Sequence, residues 1–296
     1  MSFSKTVAFC FAFSFLLTTK VQAQKDSLRT LKREKWKLES SNKGLFYISW
    51  GYNRSWFTKS TIHFHGPQYD LTFFNLAAHD NPSPFSFGVY FNPEKASIPQ
   101  YNLHIGYFFT SRFHLSFGID HMKYVITQNQ QAVISGVVSP TISTKYAGSY
   151  LNDTITLKSE ILRFEHTNGL NLVSLDVEYL QPLANLYKHK IWLKWNTGVG
   201  GFMVITKTDM SLLGDGVDND FHLSGYSVTA KTGPRLEFWK RFFIASELKV
   251  GYMNLPNVNI NNDAPQKADH NFSFVQWYTV LGAEIPLRDW LRKKKK

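Results

Sequence analysis

Two groups of residues in this chain combine types and spacings that could do chemistry. His222 and Ser224 lie two apart in an alternating segment, so an extended backbone puts imidazole and hydroxyl on one face, in phase with Tyr226. Asn254 is in phase with Tyr252 on the next segment. A hydroxyl beside an imidazole that a third polar group orients is the arrangement of a nucleophile and its general base, suited to acyl transfer. The second group is rich in imidazole and carboxylate: His63, His65, Tyr69, Asp70, His79, Asp80, Asp120, His121, Glu165 and His166. His63-x-His65 presents two imidazoles on one side of a strand, and imidazoles with carboxylates are the ligands of zinc and similar ions. A histidine beside an acid is also a general-base pair. The plainer reading of both groups is hydrogen bonding among loops and strand ends. The sequence calls for no cofactor, and a divalent metal at the first-loop His/Asp cluster is the one group these residues could hold.

The elements that must position them are strands. In 101–125, Tyr101, Leu103, Ile105, Tyr107 and Phe109 alternate with Asn102, His104 and Gly106, and Phe113, Leu115, Phe117 and Ile119 alternate with His114, Ser116 and Asp120. Each strand therefore has an aromatic-rich apolar face and a polar face. Such segments recur from residue 44: 44–56, the hairpin 101–125, one ending at Leu180, one from Ile191 to Val199, then 226–237, 244–252 and 275–285. With the hairpin counted as two, they are eight, and the connections between them run long, short, long, short, long, short, long. An even strand number with alternating loop length is the asymmetry of an antiparallel transmembrane β-barrel, with long outer loops, short periplasmic turns and both termini periplasmic. An all-β, eight-stranded barrel of that kind is the expected fold.

Targeting and charge agree with that placement. Residues 1–23 read as a signal peptide, with Lys5, an apolar run from Val7 to Leu17 and the small-residue site Val21-Gln22-Ala23. That run is too short to span a bilayer as a helix. The sole cysteine, Cys10, lies inside the signal, so thiol chemistry and disulfides are excluded from the mature chain. The net charge of +11 is carried by the ends: +2 in the signal, +4 in residues 25–43 and +5 in residues 292–296, leaving 44–291 neutral. A basic face for nucleic acid is therefore unsupported. Aromatic residues make up 16% of the chain, as suits interfacial girdles. The expected domains are the signal 1–23, a basic periplasmic leader 24–43, an outer-membrane barrel 44–291 and a basic tail 292–296. The expected partners are outer-membrane lipid and lipopolysaccharide, around a monomer.

If the apolar faces meet lipid, the lumen holds Asp120, Asp176, Glu178, Glu237, Glu247 and Glu284 against Lys194, Lys231, Arg235 and Lys249, with His104 and His114. Eight strands leave a lumen that side chains fill, and desolvated charges must pair. The expected result is a plugged interior, with a proton or solute path as the functional alternative.

The body resembles the small eight-stranded outer-membrane barrels of the OmpA-transmembrane-domain superfamily. The strings Tyr69-Asp70-Leu71-Thr72, Asn81-Pro82-Ser83-Pro84-Phe85, Ile98-Pro99-Gln100-Tyr101-Asn102 and Gly118-Ile119-Asp120-His121-Met122-Lys123-Tyr124 resemble a group of Bacteroidota barrels. This resemblance covers roughly residues 44 to 287 and implies fold and localisation, with no activity. Such barrels commonly end on an aromatic residue, whereas here Trp290 is followed by Leu291 and five basic residues. His222-x-Ser224 is also similar to the His-x-Ser pair of outer-membrane phospholipases and lipid A deacylases, which faces lipid near the outer leaflet. Glu165-His166-Thr167-Asn168-Gly169 resembles the phospholipase string less well, since one residue is missing and His166 and Thr167 would face opposite sides. Three functions follow as expectations: a non-enzymatic surface-binding or envelope barrel with a plugged lumen, a lipid hydrolase, or a narrow channel.

Overall fold

The computed structural model describes residues 27–36, 40–84, 86–95, 98–218, 220–260 and 266–286. The signal peptide and the basic tail lie outside the described residues. The chain divides into residues 1–41 and residues 42–296. In the first unit, residues 27–36 form a helix, α1, whose Leu28 and Leu31 are exposed.

The second unit is almost entirely antiparallel sheet. In chain order its strands are β1 Leu45–Phe57, β2 Ser60–Gly66, β3 Tyr69–Leu76, β4 Ala78–His79, β5 Tyr101–Phe108, β6 Phe113–Ile126, β7 Gln131–Val138, β8 Gly148–Thr156, β9 Leu162–Tyr187, β10 Ile191–Leu212, β11 Asp215–Asp218, β12 His222–Phe238, β13 Phe242–Asn259 and β14 Lys267–Pro286. One short helix, α2 Phe87–Tyr90, interrupts them. Eight of the strands run β1-β5-β6-β9-β10-β12-β13-β14, and β14 pairs back onto β1 from Leu45↔Pro286 to Phe57↔Phe274, closing a ring. The eight alternating segments of the sequence are these eight strands. Their short connections gather at one end with Leu45 and Pro286. Two of them, at Lys188-His189 and Trp239-Lys240, place consecutive residues at positive φ (38° and 60°, then 53° and 53°). Such backbone matches the twist of the flanking strands in a tight hairpin.

The faces of the ring are inverted relative to a water-soluble barrel. Ile105, Tyr107, Leu115, Phe117, Leu175 and Val177 project outward and are exposed, while Asp120, Asp176, Glu178, Lys194, Lys231 and Lys249 project inward and are buried. On β6 the outward stretch runs from Phe113 through the apolar Leu115, Phe117 and Ile119 to His121 at its edge. Eight steps at about 3.4 Å, tilted by about 40°, give a band roughly 20 Å tall, near that of a membrane barrel.

The long connections were expected to be outer loops. Instead β2, β3, β7 and β8 continue the sheet from β14, and β4 and β11 pair with β6 and β10. Ring strand β14 changes partner, from β1 up to Phe274 to β2 from Asn271 onward. Beyond that level the inward positions change character. On β6, His114, Ser116, Gly118 and Asp120 give way in the same phase to Met122, Tyr124 and Ile126. The same change brings in Phe164 and Leu170 on β9, Met210 on β10 and Phe272 on β14, which pack with Phe64, Leu71 and Phe73 of the added strands. The far half of the molecule is therefore a head with an apolar core, set on a ring with a polar one. The physical reason is solvent: strands that leave the apolar band can bury apolar side chains only inward, so their core must change sign.

Candidate functional site

The polar lumen is a network of paired charges. Lys231 lies 3.0 Å from Asp176 and 2.8 Å from Glu178. Lys194 is 2.8 Å from Glu237. Lys249 pairs closely with Asp120, which also sits 2.8 Å from His104. His114 is 3.4 Å from Glu178, and Arg235 pairs closely with Glu284. The Arg235 guanidinium also lies 3.5 Å from the Phe243 ring centroid, a cation–π contact. Glu247 receives the Tyr278 hydroxyl and, at 2.9 Å, the Asn196 amide. Every charged residue that the sequence assigned to the lumen is in this network. The cavity between Tyr47, His104, Glu178, Asn196, Lys231 and Glu247 has a volume of only about 20 Å³, about one water molecule.

One member was not expected. Asn42, assigned by sequence to the leader, is buried in the lumen. Its amide donates to Glu237 at 2.8 Å and Glu284 at 2.9 Å, and its carbonyl oxygen accepts from Lys194. It closes the network at the short-turn end, next to Ser111, whose carbonyl accepts the Asn42 N–H at 3.2 Å. A polar residue outside the alternating pattern carries no periodicity signal, so only the fold brings it in.

The His-x-Ser pair does meet, but not on the outward face. β10 and β12 pair Val204↔Gly225 and then Ile205↔Leu223, leaving Ser224 as the extra residue of a bulge. The bulge reverses phase, so Tyr226 is exposed while Ser224 is fully buried. Ser224 Oγ lies 2.9 Å from His222 Nε2 and also bonds Thr206. His222 Nδ1 faces the Asp220 carbonyl at 3.1 Å, and Nε2 is 3.0 Å from both the Asn259 N–H and the Asn257 carbonyl. An Nδ1–H donated to Asp220 leaves Nε2 as acceptor for Ser224 and Asn259. That is general-base geometry, yet the hydroxyl has no exposed surface through which an ester could approach. Asn254 does not complete the triad: it donates to the Tyr226 hydroxyl at 3.2 Å on the exposed face.

The imidazole and carboxylate residues separate into distinct places. His63 lies 2.9 Å from Asp70 and 3.6 Å from Asp269, and His65 lies 3.8 Å from Asp269, all on the exposed face of β2, β3 and β14. Asp269 is a partner that the sequence did not suggest, since it is about 200 residues away and only the β14–β2 pairing brings it close. His79 contacts the Thr127 hydroxyl at 3.1 Å. Asp80 accepts the Ser55 N–H at 3.1 Å, and its burial raises its carboxyl above the usual range. Asp120 belongs to the lumen. His121 lies on the outward face, where its Nδ1 is 2.8 Å from Asn171 Oδ1. Glu165 stands beside Arg163, 3.8 Å away, and burial followed by repulsion from Asp209 raises its carboxyl. His166 points into the head core. The first-loop residues thus do not converge with Asp80 and His121, and among the described residues no group of three or more His, Cys, Asp or Glu is arranged to hold a metal ion.

The head core contains a histidine pair that the sequence did not reveal as such. His166 and His270 are both fully buried, with ring centroids 5.9 Å apart, among Tyr124, Phe164 and Phe272. His166 Nδ1 contacts the Thr208 hydroxyl at 3.1 Å, while both ring nitrogens of His270 lack a hydrogen-bond partner among the described residues. Burial and the nearby His222 push the His166 imidazole down to about 3, and burial with repulsion from His166 holds His270 well below its usual value.

No protein-family model matches this chain, and no curated protein matches it. Among solved structures it is similar to Ail, the attachment invasion locus protein of Yersinia pestis, at 11% identity over 82% of this chain and 99% of that one, with a TM-score of 0.32. It is also similar to the outer membrane protein OprG of Pseudomonas aeruginosa, at 9% identity over 83% of this chain and 98% of that one, with a TM-score of 0.36. Likeness at these values carries no weight for activity.

Proposed function

We propose that this chain is an outer-membrane β-barrel with a plugged lumen, whose head binds a partner or braces the envelope at the cell surface. The observation that carries this reading is the inverted ring, with exposed aromatic and aliphatic residues around a core of paired charges. Exposed apolar surface far beyond a few hundred Å² marks contact with lipid or protein. The lumen charges pair with one another, and a cavity among them holds about one water, which supports a closed lumen over a continuous aqueous path. Tyr107, Phe113, Trp195 and Phe242 near the short turns, and Trp56, Tyr226 and Tyr252 toward the head, are exposed where two interfacial girdles would lie. In this orientation the termini and short turns face the periplasm, the head faces outward, and the signal peptide directs export.

The same geometry does not favour a lipid hydrolase, because Ser224 is enclosed and Asn254 points elsewhere. It does not favour a channel, because every lumen cation has an acidic partner. The test is reconstitution. Protein folded into vesicles should resist alkaline extraction, expose the head to added protease and protect the ring. Planar bilayers containing it should show no stable conductance. Extraction of the folded protein by carbonate would overturn the membrane reading, and stable single-channel steps would overturn the plug.

A further inference from the structure

The outward wall of the ring carries a notch that suits one kind of lipid. At the level where β6 leaves the apolar band, a cavity of about 440 Å³ opens between β5, β6, β9 and β10. Its floor is Ile119, Val173 and Ile205. Its head-side wall is His121 and Asn171, and Phe221 closes over it. Phe221 can lie there because Gly169 has no side chain: a Cβ at that position would come within 2.4 Å of the Phe221 ring.

His121 is the unusual element. It follows Leu115, Phe117 and Ile119 on the outward face, yet it is only 6% exposed. Its ring is stacked 5.4 Å from Tyr101, at 13°, and Tyr101 in turn stacks on Trp50 at 4.7 Å. Nδ1 faces Asn171 Oδ1 at 2.8 Å and therefore donates its hydrogen to that oxygen. That leaves Nε2 as a bare acceptor, with no hydrogen-bond partner among the described residues. An unpartnered acceptor on a residue that lines an apolar-floored notch, at the edge of a lipid-facing band, suits a donor attached to a hydrocarbon chain.

We propose that the notch binds an acyl chain whose linkage carries a hydrogen-bond donor, an amide N–H or a hydroxyl, and that His121 Nε2 accepts that hydrogen. The chain lies on Ile119, Val173 and Ile205, and the linkage sits at the level of the Trp50–Tyr101–His121 stack. A lipid with only ester linkages offers Nε2 no hydrogen and is the weaker ligand. This proposal rests on the outer-membrane reading given above.

Sphingomyelin and phosphatidylcholine share a phosphocholine head but differ in linkage donors, so they make a matched pair of probes. Folded protein in detergent micelles, titrated with each lipid at matched chain length, is examined for retained lipid by native mass spectrometry. One hydrogen bond is expected to give sphingomyelin an advantage of about threefold to tenfold. His121→Phe keeps the stack on Tyr101 but removes the acceptor, and should abolish that advantage while retaining both lipids. Ile205→Trp fills the floor and should lower retention of both. Equal retention of the two lipids by the unmodified protein, or a preference that survives His121→Phe, overturns the proposal. Vesicle insertion, tested on each variant, separates the two failures: a chain that does not insert removes the membrane reading, and one that inserts without lipid preference removes only this site.

Discussion

The buried histidine pair makes the head sensitive to acid, by an amount that the structure sets. His166 and His270 are neutral in the folded head, because burial opposes the charged imidazolium, with repulsion from His222 adding at His166 and repulsion from His166 adding at His270. Exposed to water by opening of the head, each would titrate near 6.5. A base whose folded value is depressed stabilises the fold fully above its unfolded value and loses that contribution as the pH falls toward the folded one. For His166 the window runs from 6.5 down to about 3, corresponding to roughly 5 kcal/mol in all. Between pH 7.5 and 5.0 His166 accounts for about 2 kcal/mol, and His270, shifted in the same direction, adds to it, so the pair should lower the free energy of head opening by more than His166 alone. Replacing His270 with Phe, among Tyr124, Phe164 and Phe272, removes one titrating group and two unpartnered nitrogens. That variant should lose only about 2 kcal/mol over the same range, and should be more stable than the unmodified head at neutral pH by about 1–3 kcal/mol. The assay is amide hydrogen exchange in β2, β3 and β7, in detergent micelles, corrected for the intrinsic rate at each pH. A change below about 1 kcal/mol in the unmodified chain, or an unchanged pH dependence in His270→Phe, would refute the reasoning.

Other perturbations address the remaining parts. Lys249→Met leaves Asp120 with His104 as its only ionisable partner and should destabilise the ring by about 3–5 kcal/mol, read as a lower temperature of unfolding in detergent. Gly136 sits at φ 129° with its Cβ position 1.9 Å from the Asp70 carbonyl oxygen, so Gly136→Ala should part β3 from β7 and raise exchange in both strands while leaving the ring protected. Ser224→Ala removes the hydroxyl that bonds His222 and Thr206. It should lower head stability by about 1 kcal/mol and leave fatty-acid release from phospholipid or lipopolysaccharide at the background of a lipid-only control. Release that depends on Ser224 would restore the hydrolase reading. Alanine at Asn42 withdraws donors from Glu237 and Glu284 and an acceptor from Lys194, and should loosen the short-turn end as measured by exchange near Ser111.

The sequence by itself determined the ring. Alternation of apolar and polar side chains with period two is a local property, and each of the eight segments carries it strongly enough to place its faces and its polar set, from His104 to Glu284. Pairing within that set followed from the cost of burying lone charge, so Asp120, Asp176, Glu178 and Glu237 each have a basic partner. Three things were decided only by tertiary structure. The bulge at Ser224 reversed one strand's phase, and a single extra residue is invisible to a periodicity argument unless the partner strand's register is known. The head was partly legible, since Met122, Tyr124 and Ile126 continue the inward phase of β6 as apolar residues. What they pack against comes from strands up to about 150 positions away in the chain. The grouping of chemistry depended on the same long-range pairings: they put Asp269 beside His63 and His65, sent His166 inward to His270, and left His121 facing out with one nitrogen unpartnered. A residue's face follows from its neighbours in the chain, whereas its partners follow from which strands lie side by side.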